Sequence, residues 1–224
     1  MYKGFYDENH RMLKASMRDL TILSKPRTGE YDGNILCRKC DNQRIGELES
    51  YAKPVFYGGG ESLSESQIPR FERLNQGGIE FTYCENLDYK KFKLFLLSIL
   101  WRASISSRET FSLITLGSHE ETIREMIYSG NPKDTNDYPC MIYSYLNDDS
   151  IPVDLIIQPH PGNKGATQFY KFLISGIFYT YFTSIGNEDV YHPTLPINEK
   201  GELRVIHLPK GEGKWIIDSF LGKK

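Results

Sequence analysis

Two cysteines separated by two residues are the part of this sequence best suited to chemistry. Cys37 and Cys40 follow the apolar pair Ile35-Leu36. Two thiolates at this spacing on a tight turn can bind one tetrahedral Zn²⁺, and they supply two of its four ligands. No second pair stands at a recognisable spacing. The missing ligands could come from a partner or, within the chain, from His10, Cys84 and Cys140. The pattern predicts half of a zinc site; the alternative is two metal-free thiols in a turn.

Composition and charge narrow the class of protein. The 224 residues are 39% hydrophobic and 25% charged, which is typical of a soluble globular protein. The net charge of −2 argues against a strongly basic nucleic-acid binder and leaves room for a local basic patch. The first ten residues lack the apolar run of a signal peptide. The longest apolar stretch, residues 94–101, is far shorter than the ~20 residues of a membrane-spanning helix. We therefore expect a cytoplasmic protein with no membrane partner, whose cysteines need not form disulfides.

A glycine- and serine-rich stretch predicts a division of the chain. Residues 58–69 begin with three glycines and continue with serines and acids, a composition typical of flexible coil. They separate residues 1–57, interpreted as a partial zinc-knuckle region, from an α+β body at residues 70–224. In the first region we expect a short strand at 34–36, the cysteine pair, and an amphipathic helix at 44–56. Strand, knuckle and helix form the C-terminal part of a treble-clef zinc module.

The hydrophobic periodicity of the body changes from helical to strand-like. A core helix is predicted at residues 89–104, because apolar residues occupy nearly every face of its middle. A capping box from Ser118 to Glu121 predicts a second helix that ends near Ser129. A short β-like run lies between them at residues 111–116. After residue 139, segments rich in Tyr, Phe, Ile and Val predict strands at 140–146, 153–158, 168–175, 177–183 and 203–208. Residues 215–221 are a candidate closing helix. The predicted fold class is α+β, with a mainly antiparallel sheet.

Four further residues are candidates for binding nucleic acid or another anion. Arg102 and Arg108 lie near Trp101 and could contact phosphates. In the interpretation that we prefer, Trp101 is buried and Arg102 pairs at the end of its helix. His160 and Lys164 lie in a turn-rich segment, residues 158–165, where successive amides could cradle an anion. There the preferred alternative is a plain loop between two strands.

Three stretches carry a resemblance to a known group of proteins. They are GEYDGNILCRKCDNQRIGELESYAKPVFYGG (residues 29–59), FKLFLLSILWRASIS (92–106) and LGSHEETIREMI (116–127). Together they resemble a poorly characterised group of bacterial proteins that have an HNH-endonuclease-like, zinc-bound N-terminal module. The group's pattern of a leucine, a C-x2-C and a helix with glutamate and tyrosine is matched here by Leu36, Cys37, Cys40, Glu49 and Tyr51.

Two motifs of that group have no counterpart upstream of Cys37. These are a first C-x2-C and a Ser-His segment. HNH chemistry needs a histidine as general base beside a metal-held phosphate. His10 precedes the cysteine pair in a charged stretch, and it is a weak catalytic candidate. The resemblance therefore implies a non-catalytic relative that binds nucleic acid, such as DNA, or a protein partner. The alternatives are an active metal-dependent HNH-like DNA endonuclease and a protein-protein interaction module with no nucleic-acid role.

Overall fold

The computed structural model describes residues 13–15, 22–24, 32, 35–57, 68–148 and 155–212. Three α-helices and nine strands lie within these residues. The helices are α1 (Gly46–Tyr57), α2 (Tyr89–Ser104) and α3 (Ser118–Ser129). The strands are β1 (Leu13–Ala15), β2 (Ile22–Ser24), β3 (Arg70–Gln76), β4 (Ile79–Glu85), β5 (Cys140–Ser144), β6 (Leu155–Lys164), β7 (Thr167–Ile174), β8 (Ile177–Ser184) and β9 (Leu203–His207). No helix in this part of the chain is both long and apolar enough to cross a membrane.

The described strands form one sheet in the order β2-β1-β6-β7-β8-β5-β9-β4-β3. Two neighbouring pairs, β1–β6 and β5–β9, are parallel, and the other pairs are antiparallel. Short turns explain this topology, because antiparallel strands can be joined by two-residue hairpins. Gly77 and Gly78, which join β3 to β4, both have positive φ, as a type I′ hairpin turn requires. The predicted α+β class with a mainly antiparallel sheet is confirmed.

Several predicted elements have the predicted bounds, and others do not. Helices α2 and α3 begin and end at the expected residues, and all five strands predicted after residue 139 are present. Residues 111–116 are not a strand: a 3₁₀ turn ends at Phe111, and a turn and irregular backbone follow it up to residue 116. Ile35 and Leu36 form a bend instead of a strand. Gly117, with a φ of 55°, stands at the N-cap of α3 in place of Ser118, and no side chain caps that end. The predicted helix at 215–221 lies outside the described residues.

The β3–β4 hairpin is an element that we did not predict. Its two glycines are flanked by alternating apolar residues, including Ile79, Phe81 and Tyr83, which is the usual signal for a hairpin. The alternation is weak on β3, where only Leu74 is not exposed. A strand at the edge of a sheet buries little, so its sequence carries little hydrophobic pattern.

Helix α2 is the centre of the main hydrophobic core. Leu97 and Trp101 retain 1% and 3% of their surface, as expected for a core helix, whereas Ile99 is half-buried. Helix α1 contributes Ile45 at its entry and Leu48 to the same core cluster. Residues on both sides of the glycine-rich stretch therefore pack into one core. The predicted linker itself, residues 58–69, is described only from Ile68 onward.

Candidate metal-binding site

The two cysteines lie at the start of the helical segment that continues into α1. Helical backbone begins at Arg38, passes through a π-helical turn at Cys40–Ile45 and becomes regular at Gly46. The amide of Asp41 donates to the carbonyl of Cys37 at 3.0 Å, which closes the first turn. This turn brings the two Sγ atoms to 3.0 Å from each other. The predicted knuckle is thus the first turn of a helix.

The surroundings of Cys37 favour its thiolate. The pKa of Cys37 is lowered by its hydrogen bond to the thiol of Cys40, by the backbone amides of Cys40 and Lys39, and by the charge of Lys39. The Cys40 amide lies 3.3 Å from the Cys37 sulfur. Cys37 is exposed and Cys40 is half-exposed. Because thiolates are the form that binds metals, this environment favours metal binding by Cys37.

Tyr128 on α3 also contacts the cysteine pair. Burial raises the pKa of Tyr128 to about 12, and a hydrogen bond to Cys40 adds to the effect. The Tyr128 ring also makes an edge contact with Trp101, with centroids 5.8 Å apart. The cysteine turn is therefore held against α2 and α3 through one aromatic side chain.

The other predicted ligands are not brought to the cysteine pair. Within the described residues, no group of three or more His, Cys, Asp or Glu side chains could hold a metal ion. Cys84 and Cys140 are buried in the main core, at 3% and 5% exposure. Burial raises the pKa of Cys84 to about 12 and that of Cys140 well above its usual value. His10 lies outside the described residues, and the zinc site stays a prediction.

Basic side chains lie close to the cysteine turn. Arg38 and Lys39 stand between the two cysteines and are exposed. The Nε of Arg44 donates to the Ile127 carbonyl at 2.7 Å, near the C-terminus of α3. Arg44 and Lys90 both approach Gly130, which caps that helix with a φ of 72°. Cations are favoured there, because the last carbonyls of a helix carry partial negative charge.

The contacts of Arg102 match the structural interpretation preferred from the sequence. Its Nη1 donates to Glu49 at 2.8 Å and its Nε donates to the Ser98 carbonyl at 3.2 Å. The ion pair links α2 to α1 and is about one quarter exposed on both sides. Arg108 is exposed and lies near Asp32, whose carboxylate accepts hydrogen bonds from the serines at the end of α2.

His160 and Lys164 do not lie in a loop, contrary to both interpretations of their segment. They belong to β6, where they are paired with Lys171 and Thr167 of β7. An anion-binding nest needs alternating helical and left-handed backbone, which an extended strand does not have. His160 is half-buried, and burial together with the charge of Lys171 lowers its pKa. The turn follows one residue later, at Gly165.

Comparisons of the chain with models of known protein families, with curated proteins and with solved structures found no match. The resemblance to HNH-like zinc-module proteins stays a prediction that rests on the three quoted stretches. Tyr128 and the basic group Arg38, Lys39, Arg44 and Lys90 are features of the site that we had not predicted. Of these residues, only Arg38 and Lys39 had a visible signal in the sequence, namely their position between the two cysteines.

Proposed function

We propose that this chain is a non-catalytic relative of the HNH-like zinc-module proteins, in which Cys37 and Cys40 bind a structural Zn²⁺ and nearby basic residues bind nucleic acid. The observation that carries the proposal is the exposed pair of thiols 3.0 Å apart at the start of a helix. Two sulfurs bound to one tetrahedral zinc at ~2.3 Å are about 3.8 Å apart, so a shift below about 1 Å suffices.

The basic residues around the cysteines favour nucleic acid over a protein partner. Lysines and arginines supply the contacts to phosphates that dominate non-specific binding. Arg38 and Lys39 are exposed beside the metal site, and Arg44 and Lys90 converge at the end of α3. The net charge of the chain is −2, so this local group would provide the attraction. If the chain does not bind nucleic acid, a protein partner is the alternative that we would test next.

We expect the full chain, expressed in medium that contains zinc and then purified, to hold one Zn²⁺ per chain when measured by inductively coupled plasma mass spectrometry. Cys37→Ser and Cys40→Ser should each lose the metal, because two of its four ligands come from this turn. Cys84→Ala is the matched control and should keep zinc, because Cys84 is buried in the main core. Zinc-free wild-type protein, or full zinc in both serine variants, would contradict the proposal.

Loss of zinc should loosen only the beginning of the helical segment. Hydrogen exchange should accelerate at residues 35–44 in Cys37→Ser, whereas Ile45 and Leu48 should stay protected by the core. The range ends there because α1 packs into the same core cluster as α2.

We expect binding of a short labelled DNA duplex, measured by fluorescence anisotropy, to weaken in the Arg38→Ala/Lys39→Ala double variant. If both side chains contact phosphates, the slope of log K against log salt should fall by about 2, since each contact contributes about 0.9. Lys164→Ala tests the other predicted anion site and should bind like the wild type. An unchanged slope in the double variant would exclude this surface.

The same preparation should leave plasmid DNA intact in Mg²⁺ or Mn²⁺. The reason is that no histidine has a recognisable catalytic context, and a general base contributes about 10²–10⁴-fold in rate. His10→Ala is the control. Nicking by the wild type that disappears in His10→Ala would establish the endonuclease alternative instead.

A further inference from the structure

The two thiols of the candidate metal site also have the arrangement that disulfide exchange needs. Cys37 stands immediately before the helical backbone, which begins at Arg38, and Cys40 is the third residue of that backbone. The amide of Cys40 lies 3.3 Å from the Cys37 sulfur, which takes the place of the oxygen at a usual N-cap. This contact directs the Cys37 side chain over the first turn, where the Cys40 sulfur lies.

The distance between the two sulfurs lies between the values that two competing products require. The Sγ atoms are 3.0 Å apart. A disulfide joins two sulfurs at about 2.05 Å, and a tetrahedral zinc holds them about 3.8 Å apart. A movement of about 1 Å towards each other therefore closes the disulfide, and a similar movement apart opens the pair for a metal. The first residue after the pair that belongs to the main core is Ile45, so small movements of this turn need no repacking.

Exposure ranks the four cysteines by access. Cys37 is exposed and Cys40 is half-exposed, whereas Cys84 and Cys140 retain 3% and 5% of their surface. A reagent in solution therefore meets Cys37 first. The Cys40 sulfur is then already in contact with the sulfur that has reacted, which is the position of a resolving cysteine.

We propose that Cys37 and Cys40 are a redox-active pair that a small-molecule disulfide oxidises to an intramolecular disulfide. The Cys37 thiolate attacks one sulfur of the reagent RSSR, which forms a Cys37–SR bond and expels RS⁻ with the electron pair of the broken bond. The Cys40 thiolate then attacks the Cys37 sulfur, forms the Cys37–Cys40 bond and expels the second RS⁻. The two cysteines are oxidised, RSSR is reduced to two RSH, and these take up the two cysteine protons.

Oxidation of the pair would also release zinc, an effect that rests on the proposed function. A sulfur in a disulfide is no longer a thiolate, and the thiolate is the form that binds a metal. The disulfide and the metal therefore exclude each other at this turn. The oxidation itself depends only on the two sulfurs, so it is tested on the metal-free chain.

The equilibrium test uses the full chain, freed of metal with EDTA, in mixtures of glutathione and glutathione disulfide. Intact-mass spectrometry distinguishes reduced protein, a glutathione adduct and a disulfide that has lost two hydrogens. The second thiol acts within the chain at a high effective concentration. We therefore expect the wild type to be half oxidised at a disulfide-to-glutathione ratio at least about 10-fold below the ratio at which half of Cys40→Ser carries the adduct. Equal ratios, or a wild type that accumulates the adduct, would overturn the proposal.

Cys84→Ala is the control that assigns the disulfide to the exposed pair. It should be oxidised at the same ratio as the wild type, because Cys84 is buried in the main core. Loss of the disulfide in this variant would assign the bond to a different pair of cysteines and overturn the proposal.

The zinc-loaded wild type tests the release of the metal. We expect Zn²⁺, followed with a chromogenic chelator, to appear in step with the disulfide, and we expect the chain reduced with dithiothreitol to take zinc up again. Zinc that stays bound to the oxidised chain would overturn the release. A chain that holds no zinc from the start but forms the disulfide would refute the proposed metal site and support the redox pair.

Discussion

Replacement of Leu97 with alanine is expected to lower the free energy of unfolding by about 2–5 kcal/mol. Leu97 lies in the middle of α2 with 1% of its surface exposed, among the residues of the main core. The loss combines the transfer free energy of the removed methine and two methyl groups with the free-energy cost of the cavity that they leave. Chemical denaturation at neutral pH measures it directly.

Leu113→Ala provides the matched control for this measurement. Leu113 is 41% exposed, so the same truncation should change stability by less than about 0.5 kcal/mol. If the Leu97 variant also changed by less than that, α2 would not be the core helix. The contrast between two leucines in one chain removes differences in residue type from the comparison.

The second large effect is a dependence of stability on pH that comes from one buried lysine. Lys93 on α2 is 3% exposed, and burial lowers its pKa from 10.5 to about 8. Its Nζ donates to the Tyr89 hydroxyl at 3.0 Å and to the Asp134 carbonyl. In the unfolded chain a lysine keeps a pKa of about 10.4. Between pH 8 and 10.4 the unfolded state therefore binds more protons than the folded state, and stability rises with pH.

We expect this lysine to contribute an increase of up to about 3 kcal/mol between pH 7 and 10, since one pKa unit corresponds to about 1.4 kcal/mol. Below pH 8 the amine is protonated in both states, and the destabilising cost of burying its charge is fully present. Lys93→Met should remove that part of the pH dependence. Chemical denaturation of both proteins at several pH values between 7 and 10 gives the required free energies.

The difference between the two proteins is the informative quantity, because other groups titrate in this range. The buried thiols of Cys84 and Cys140 have raised pKa values and lower the stability as pH rises. Their effect is common to wild type and variant. Lys91→Met is the control, because Lys91 lies on the same helix with its side chain 55% exposed. Parallel pH profiles of wild type and Lys93→Met would show that Lys93 does not titrate in this window.

The sequence by itself determined the elements whose hydrophobic pattern is strong. Helix α2 has apolar residues on nearly every face, and its predicted bounds of residues 89–104 are those observed. Most residues of the five strands after residue 139 are half-buried or fully buried, so tyrosine, phenylalanine and isoleucine recur along them. The spacing of Cys37 and Cys40 also predicted that their sulfurs would meet, because a single turn is a local property of the chain.

Features with little burial or little sequence bias could not be predicted. The exposed β3 strand lacks a strong alternation, and the segment with His160 contains two prolines and a glycine that are typical of a loop. A strand tolerates such residues where its edge is not fully paired. Gly117 replaced Ser118 at the N-cap because the backbone entering α3 has a left-handed φ, which glycine adopts without strain.

Contacts between residues distant in sequence were decided only by the tertiary structure. The sequence allowed Cys84 and Cys140 as zinc ligands, whereas packing of the sheet against α2 buries both thiols in the core. Packing of α1 and α3 against α2 brings Arg44 and Lys90 to Gly130, and the fold places Tyr138 and Tyr191 around one cavity. Local patterns in the sequence indicate burial and backbone preference. They do not indicate which side chains from distant parts of the chain will be in contact. For this protein the spacing of two cysteines predicts half of a metal site, and the fold decides which side chains surround the two thiols.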